Sequence, residues 1–171
     1  MDELEDLQSR IRNGTTNDIL PFWNGTNGDT PHDENYCRDR IASPLSLILE
    51  RYNVHASPEG AMPDSNRCDL LYSHDLMNLP IEIKGQWHDE VWTAVGEQLQ
   101  NYTREYHSDG RGIYLVLWFG YLGANHPKNP HGWQGQRLPK TLDEMKALLT
   151  QKCEGVSEKT KVMVLDLSKP I

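Results

Sequence analysis

Asp69, in Arg67-Cys68-Asp69-Leu70, and Glu82, thirteen positions on in Ile81-Glu82-Ile83-Lys84, combine residue types and spacing that can do chemistry. Each carboxylate lies in or beside an apolar run. Asp69 is followed by Leu70, Leu71 and Tyr72, and Glu82 stands between Ile81 and Ile83. A carboxylate drawn toward a sheet interior is costly to bury unless something compensates its charge. A divalent cation held between the two would be that compensation. Lys84 is two beyond Glu82, and on a strand positions two apart share a face. Two carboxylates and one ammonium converging on a point make a metal-dependent site that cuts phosphodiesters.

The elements that must position these groups follow from periodicity. Leu4, Leu7 and Ile11 predict a short amphipathic helix over 3–12. Residues 13–30, rich in Gly, Asn and Thr, predict a loop whose apolar patch 19–23 docks on the core. A second helix is expected over 33–52, with Ile41, Leu45, Ile48 and Leu49 as its buried stripe and Pro44 kinking or dividing it. Strands are expected over 53–59, 67–73 and 79–84, the last two forming a hairpin and the turn-rich run 60–65 following the first. Val91, Trp92, Val95, Leu99, Tyr102 and Tyr106 predict a helix over 89–107, broken at Gly110-Arg111-Gly112. The apolar run 113–119 reads as a central strand covered on both faces. A long loop over 121–139, a helix over 142–153 and a strand over 161–167 complete the chain.

The chain has 171 residues, which suits one domain. It is 37% hydrophobic and 25% charged, an ordinary globular composition. No apolar run reaches membrane-spanning length, and the acidic start, Met1-Asp2-Glu3-Leu4-Glu5, is unlike a signal peptide. A cytoplasmic location and no membrane partner are therefore expected. Three widely separated cysteines, Cys37, Cys68 and Cys153, supply neither a disulfide framework nor a CxxC zinc pattern. A net charge of -8 counts against a protein that coats nucleic acid through a broad basic surface. It leaves room for an enzyme that grips a few phosphates locally.

With the helices in place, the pattern resembles the PD-(D/E)xK nuclease superfamily and its restriction-endonuclease-like fold. Asp69 is followed by Glu82-x-Lys84 on the next strand, then a helix, then a buried strand. On that helix Gln98 and Tyr102 are four apart and resemble the Gln-x3-Tyr element of the RecB-like branch. The resemblance covers about residues 34–119. It departs in one place: Cys68 stands where the motif has proline. It implies an α/β domain with a mixed central sheet flanked by helices, in an α-β-β-β-α-β core. The whole of 1–171 would be one nuclease domain: a helix and loop over 1–30, the catalytic core over 31–120, and a loop, helix and strand over 121–171.

Carried over by position, Asp69 and Glu82 would bind Mg2+ or Mn2+, with the Ile83 carbonyl as a third oxygen ligand. Lys84 would position or deprotonate a water, or stabilise transition-state charge. Gln98 and Tyr102 would orient the substrate backbone or the groups of the metal site. Glu34 resembles the additional acidic residue that many members carry on the helix before the first strand, and Glu59 is its rival for that role. The implied activity is metal-dependent hydrolysis of DNA, read as an endonuclease of bacterial defence or repair. A homodimer and fused ATPase or sensor regions are the implied protein partners.

Plainer readings stand beside these. Glu82 and Lys84 suit an exposed pair on an amphipathic strand. Glu34 suits the N-terminal end of a helix dipole. Tyr102 lies on the apolar stripe and suits the core. His88 with Asp89 suits a helix N-cap region rather than a substrate contact. Among the arginines Arg67 is the best phosphate ligand, because it neighbours Asp69. The rival functions are a catalytically inactive binding module of the same fold, an RNA-cutting nuclease, and a zinc-stabilised interaction domain using His126, His131 and Cys153.

Overall fold

In α1 (Asp2–Asn13) the predicted Leu4, Leu7 and Ile11 are the buried residues. Acidic Asp2, Glu3 and Glu5 in its first turn and Arg10 and Arg12 in its last complement the helix dipole. The computed structural model that carries these elements describes residues 1–25, 28–61, 67–105, 107–132, 137–153 and 158–169. Of the turn expected over 60–65, residues 60 and 61 continue the preceding strand and 62–65 lie outside the described residues, as does Tyr106 of the apolar stripe.

The apolar patch at 19–23 does dock: Ile19, Phe22 and Trp23 are buried in the core. It also forms structure that the loop composition hid. Strands β1 (Trp23–Asn24) and β2 (Thr30–Pro31) pair antiparallel as a two-residue ribbon. Helix α2 (Glu34–Leu49) starts on Asp33, whose side chain accepts the Tyr36 N–H at 2.8 Å. Of the two effects expected of Pro44, division does not occur: the helix runs through it. Proline removes one backbone bond, and burial of Cys37, Ile41, Ala42 and Leu45 against the sheet outweighs that loss.

Five strands form one mixed sheet in the order of the chain: β3 (His55–Ala61), β4 (Arg67–His74), β5 (Met77–Gly85), β6 (Gly112–Trp118) and β7 (Thr160–Asp166). The first three are antiparallel neighbours; β5, β6 and β7 run parallel. The expected hairpin is present as β4 and β5, turned through Asp75 and Leu76. Every residue of β6 is buried, as its unbroken apolar run requires. Helix α4 (Leu142–Lys152) is closed by a Thr141–Glu144 capping box.

The crossover from β5 to β6 departs most from expectation. No helix forms at 89–93. Turns occupy 86–93, a π-helical segment runs Val95–Leu99, and α3 covers only Gln100–Glu105. Tertiary contacts hold the turns open. The Gln86 side-chain amide donates to the carbonyls of Gly120 and Lys128, and the Trp92 indole donates to the His131 carbonyl.

The sheet is covered on both faces. Helices α1 and α2 pack over Ile81, Ile83, Ile113, Leu115 and Leu117. Val91, Trp92, Val95, Leu99 and helix α4 pack over Tyr114, Val116, Trp118 and Val164. Glu82 is in register with Tyr114 and Lys84 with Val116, so the two charged residues of β5 share the second face.

Candidate active site

The β4–β5 ladder runs from His74–Met77 to Leu70–Ile81 and stops there. Beyond that point backbone donors on the β4 side of β5 have no strand to pair with. Carboxylates meet them instead. The Ile83 N–H donates to Asp69 Oδ2 at 2.6 Å, and the Gly85 N–H donates to Glu34 Oε1 at 2.6 Å. In a strand the N–H and C=O of one residue point to the same side, so the Ile83 carbonyl faces the same gap. Glu82 and Lys84, 3% and 8% exposed, form an ion pair with Nζ 2.7 Å from Oε1. Gly85 makes the strand end narrow: a Cβ there would lie 2.6 Å from the Trp87 ring.

Burial governs the charges of this cluster. It pushes the Glu82 carboxyl up to about 7, and Asp69 and Glu34 add to that rise against the attraction of Lys84. Burial raises Asp69 above the ordinary carboxylate range, opposed by the Ile83 N–H and by the charges of Lys84, Arg38 and His88. Glu34 is raised for the same reason, opposed by the Gly85 N–H, His88 and Lys84. Lys84 is pulled down by burial, but Glu82, Asp69 and Glu34 outweigh it and leave the ammonium more basic than usual.

One buried carboxylate, Glu82, and two half-buried ones, Asp69 and Glu34, against one ammonium leave a surplus of acidic groups in a place partly shielded from water. The donors are hard oxygens, with a backbone carbonyl in the same gap, and that chemistry fits Mg2+ or Mn2+. Among the described residues no three His, Cys, Asp or Glu side chains converge as a ready ligand group. Lys84 holds one oxygen of Glu82, and Asp69 and Glu34 each turn one oxygen to a backbone N–H.

The span 1–121 matches the family model of DUF8371, a domain of unknown function. The chain belongs to the DUF8371 family. No curated protein and no solved structure matches it. The DUF8371 span takes in α1 through β6 and all four residues of the cluster, whereas α4 and β7 lie beyond it.

Other residues singled out in the sequence are placed differently. Glu59, the rival of Glu34, is exposed and pairs with Arg38 at 3.4 Å and Arg67 at 3.0 Å rather than joining the carboxylates. Gln98 lies in the π-helical segment; its Nε2 donates to Glu90 at 2.9 Å, and its buried Oε1 has no hydrogen-bond partner. The Tyr102 hydroxyl donates to the Arg67 carbonyl at 2.9 Å, tying α3 to the start of β4. Burial pushes that hydroxyl up to about 12, with Glu82 next in effect. His88 caps no helix, because none begins there. Its Nδ1 accepts the Glu90 N–H, and its charge acts on Asp69 and Glu34. The zinc candidates have other partners: His131 is 2.8 Å from Asp89, and His126 accepts the Lys128 N–H.

Two supports of the DUF8371 site were not foreseen. Gln86 is fully buried and binds the backbones of Phe119, Gly120 and Lys128. Lys128 Nζ donates to the carbonyls of Pro31 and His32, just before α2, and sits 4.4 Å from the Trp87 ring centre. Together they strap the 120–130 loop across the entry to α2, which carries Glu34. Their only sequence signal is a glutamine directly after a glycine at a strand end.

Proposed function

We propose that this chain is a Mg2+- or Mn2+-dependent nuclease that hydrolyses DNA phosphodiester bonds, acting as an endonuclease. The observation that carries the reading is the buried Glu82–Lys84 pair on one face of β5, beside Asp69 and Glu34 where the β4–β5 ladder ends. The element order α2-β3-β4-β5-α3-β6 supports a restriction-endonuclease-like fold of the RecB-like kind.

Asp69, Glu82 and the Ile83 carbonyl would hold the ion, with Glu34 beside them. When bound, it supplies polarisation of the scissile phosphate and an acidified water. Lys84 keeps its proton among the three carboxylates, and that favours charge stabilisation over general-base work. Asp69 and Glu34 also fix the path of β5 through Ile83 and Gly85, and so hold Glu82 and Lys84 in place. Gln98 and Tyr102 act at a remove: Tyr102 anchors α3 on β4, and Gln98 positions Glu90. A cytoplasmic effector of genome defence or repair, working as a homodimer or fused to ATPase or sensor regions, is the setting that suits such a domain. Among the described residues no helix is long and apolar enough to cross a membrane.

The test is plasmid cleavage with Mg2+ or Mn2+, wild type beside Glu82→Ala. Nicking or linearisation that needs metal and is lost in the variant supports the assignment; equal cleavage by both overturns it. Matched DNA and RNA substrates separate deoxyribonuclease from ribonuclease. One observation favours a second reading, a catalytically inactive nucleic-acid or protein binding module of the same fold. Lys84 already neutralises Glu82, and no ready ligand group is present among the described residues. Calorimetric titration with Mn2+ distinguishes the two. Heat that Asp69→Ala abolishes favours the enzyme, and no heat favours the module.

A further inference from the structure

Glu59 faces Asp69 across the sheet: Pro58 pairs with Leu70 and Gly60 with Cys68, and these two residues lie between. Its backbone has φ 51°, a left-handed conformation that strains a residue with a side chain. Such strain in mid-strand persists only where the surroundings hold it. Here both oxygens of Glu59 are engaged, Oε1 by Arg38 at 3.4 Å and Oε2 by Arg67 at 3.0 Å. The two arginines differ. Arg38 is 7% exposed. Asp39 fixes its Nε and Nη2, and Asn35 and Glu59 accept from Nη1. Arg67 is exposed, and its exposed pairing with Glu59 is worth little in water. The bridge therefore presents one fixed guanidinium and one freely redirected guanidinium beside Asp69, joined by a replaceable anion.

We propose that Arg38 and Arg67 form a clamp for the phosphodiester backbone of the substrate next to the cleavage site, with Glu59 as the counter-ion that a phosphate displaces. A phosphate offers the same pair of acceptor oxygens as Glu59 and stronger charge-assisted bonding. This gives the acidic chain a local grip on nucleic acid without a broad basic surface. It also excludes Glu59 from the metal role considered for it. The proposal rests on the nuclease reading for its substrate.

The test is fluorescence anisotropy of a labelled DNA duplex against the full chain at several salt concentrations, without divalent metal. Glu59→Gln keeps the side chain's length and an acceptor for the arginines, and Arg67 is exposed; circular dichroism and thermal unfolding of both variants beside the wild type establish that they fold before binding is compared. Glu59→Gln is expected to bind about threefold tighter. Arg67→Ala is expected to bind more weakly, with the salt slope reduced by about one. Combined, the two substitutions should lose the gain. Unchanged or weaker binding by Glu59→Gln overturns the clamp, as does loss of an Mn2+-induced thermal shift in that variant. The same panel assayed for plasmid cleavage separates the two claims. Cleavage that depends on Glu82, with Glu59→Gln binding unchanged, removes the clamp and keeps the nuclease. Tighter binding by Glu59→Gln without cleavage by any protein keeps the clamp and removes the nuclease.

Discussion

The two ends of the β4–β5 hairpin are built from the same ladder and end in opposite ways. At the turn, His74 still pairs with Met77, Ser73 donates to Asn78 at 2.7 Å, and Leu76 stands 84% exposed. Backbone polarity there is met by backbone, with the Asn78 N–H also donating to the His107 carbonyl. At the other end the ladder stops at Leu70–Ile81, and two carboxylates take the place of the missing strand. Charge that would be solvated at the turn is buried at the open end, so it perturbs its neighbours strongly. Charged side chains collect here where regular pairing gives out inside a covered sheet.

That contrast breaks most readily at Glu82 and Lys84. Glu82→Gln, which keeps the shape of the side chain, is expected to lower plasmid cleavage by at least about 100-fold, while Asp75→Ala at the turn leaves the rate unchanged. Lys84→Ala is expected to abolish cleavage and yet retain an Mn2+-induced thermal shift, because an ammonium is no metal ligand. It leaves Glu82 buried without its cation, at a stability cost of about 3 kcal/mol by denaturant titration. Wild-type cleavage by Lys84→Ala would remove its role.

A pH series sharpens the comparison. In the fold Glu82 holds its proton up to about 7, above the ordinary 4.5 of the unfolded chain. The folded state therefore binds the proton more tightly, and its stability is greatest below the lower value. Stability should fall as pH rises from about 4.5 to about 7, by on the order of 3 kcal/mol for an isolated group. Glu82→Gln should flatten the profile; an equally steep profile in that variant would place the titration elsewhere.

Asp69→Asn tests the replacement of the ladder by a side chain. It keeps an acceptor for the Ile83 N–H and loses a charge that the fold already disfavours, so thermal stability is expected to hold or rise slightly, by less than about 1 kcal/mol. The smallest effect belongs to Gln98→Ala. It removes one exposed bond to Glu90 together with a buried unpaired oxygen, so stability should move by less than about 0.5 kcal/mol while cleavage declines. Unfolding of this variant would make Gln98 a structural residue.

The sequence by itself determined the strands of the five-stranded sheet and which of their side chains share a face. Alternation placed Glu82 and Lys84 on one face of β5 and Ile81 and Ile83 on the other. The apolar run at 113–119 required a strand covered on both sides. Local periodicity suffices there, because a residue's face is set by its parity within its own element. Only the tertiary structure placed Glu34 at the end of β5 and Glu59 with Arg38 and Arg67, since those places depend on where the N-terminus of α2 meets the sheet. Sequence distance carries no such information. Nor did local pattern reveal that the stripe beginning at Val91 is held in turns before Ala94. The bonds of Gln86 to Gly120 and Lys128, and of Trp92 to His131, cross more than thirty residues and override helix propensity at that point. Gln98 and Tyr102 keep their spacing of four, but the π-helical segment and the anchor of Tyr102 on Arg67 set what each side chain touches. The sequence chose the groups; packing across the end of the sheet chose their neighbours, because burial and charge are properties of the assembled fold.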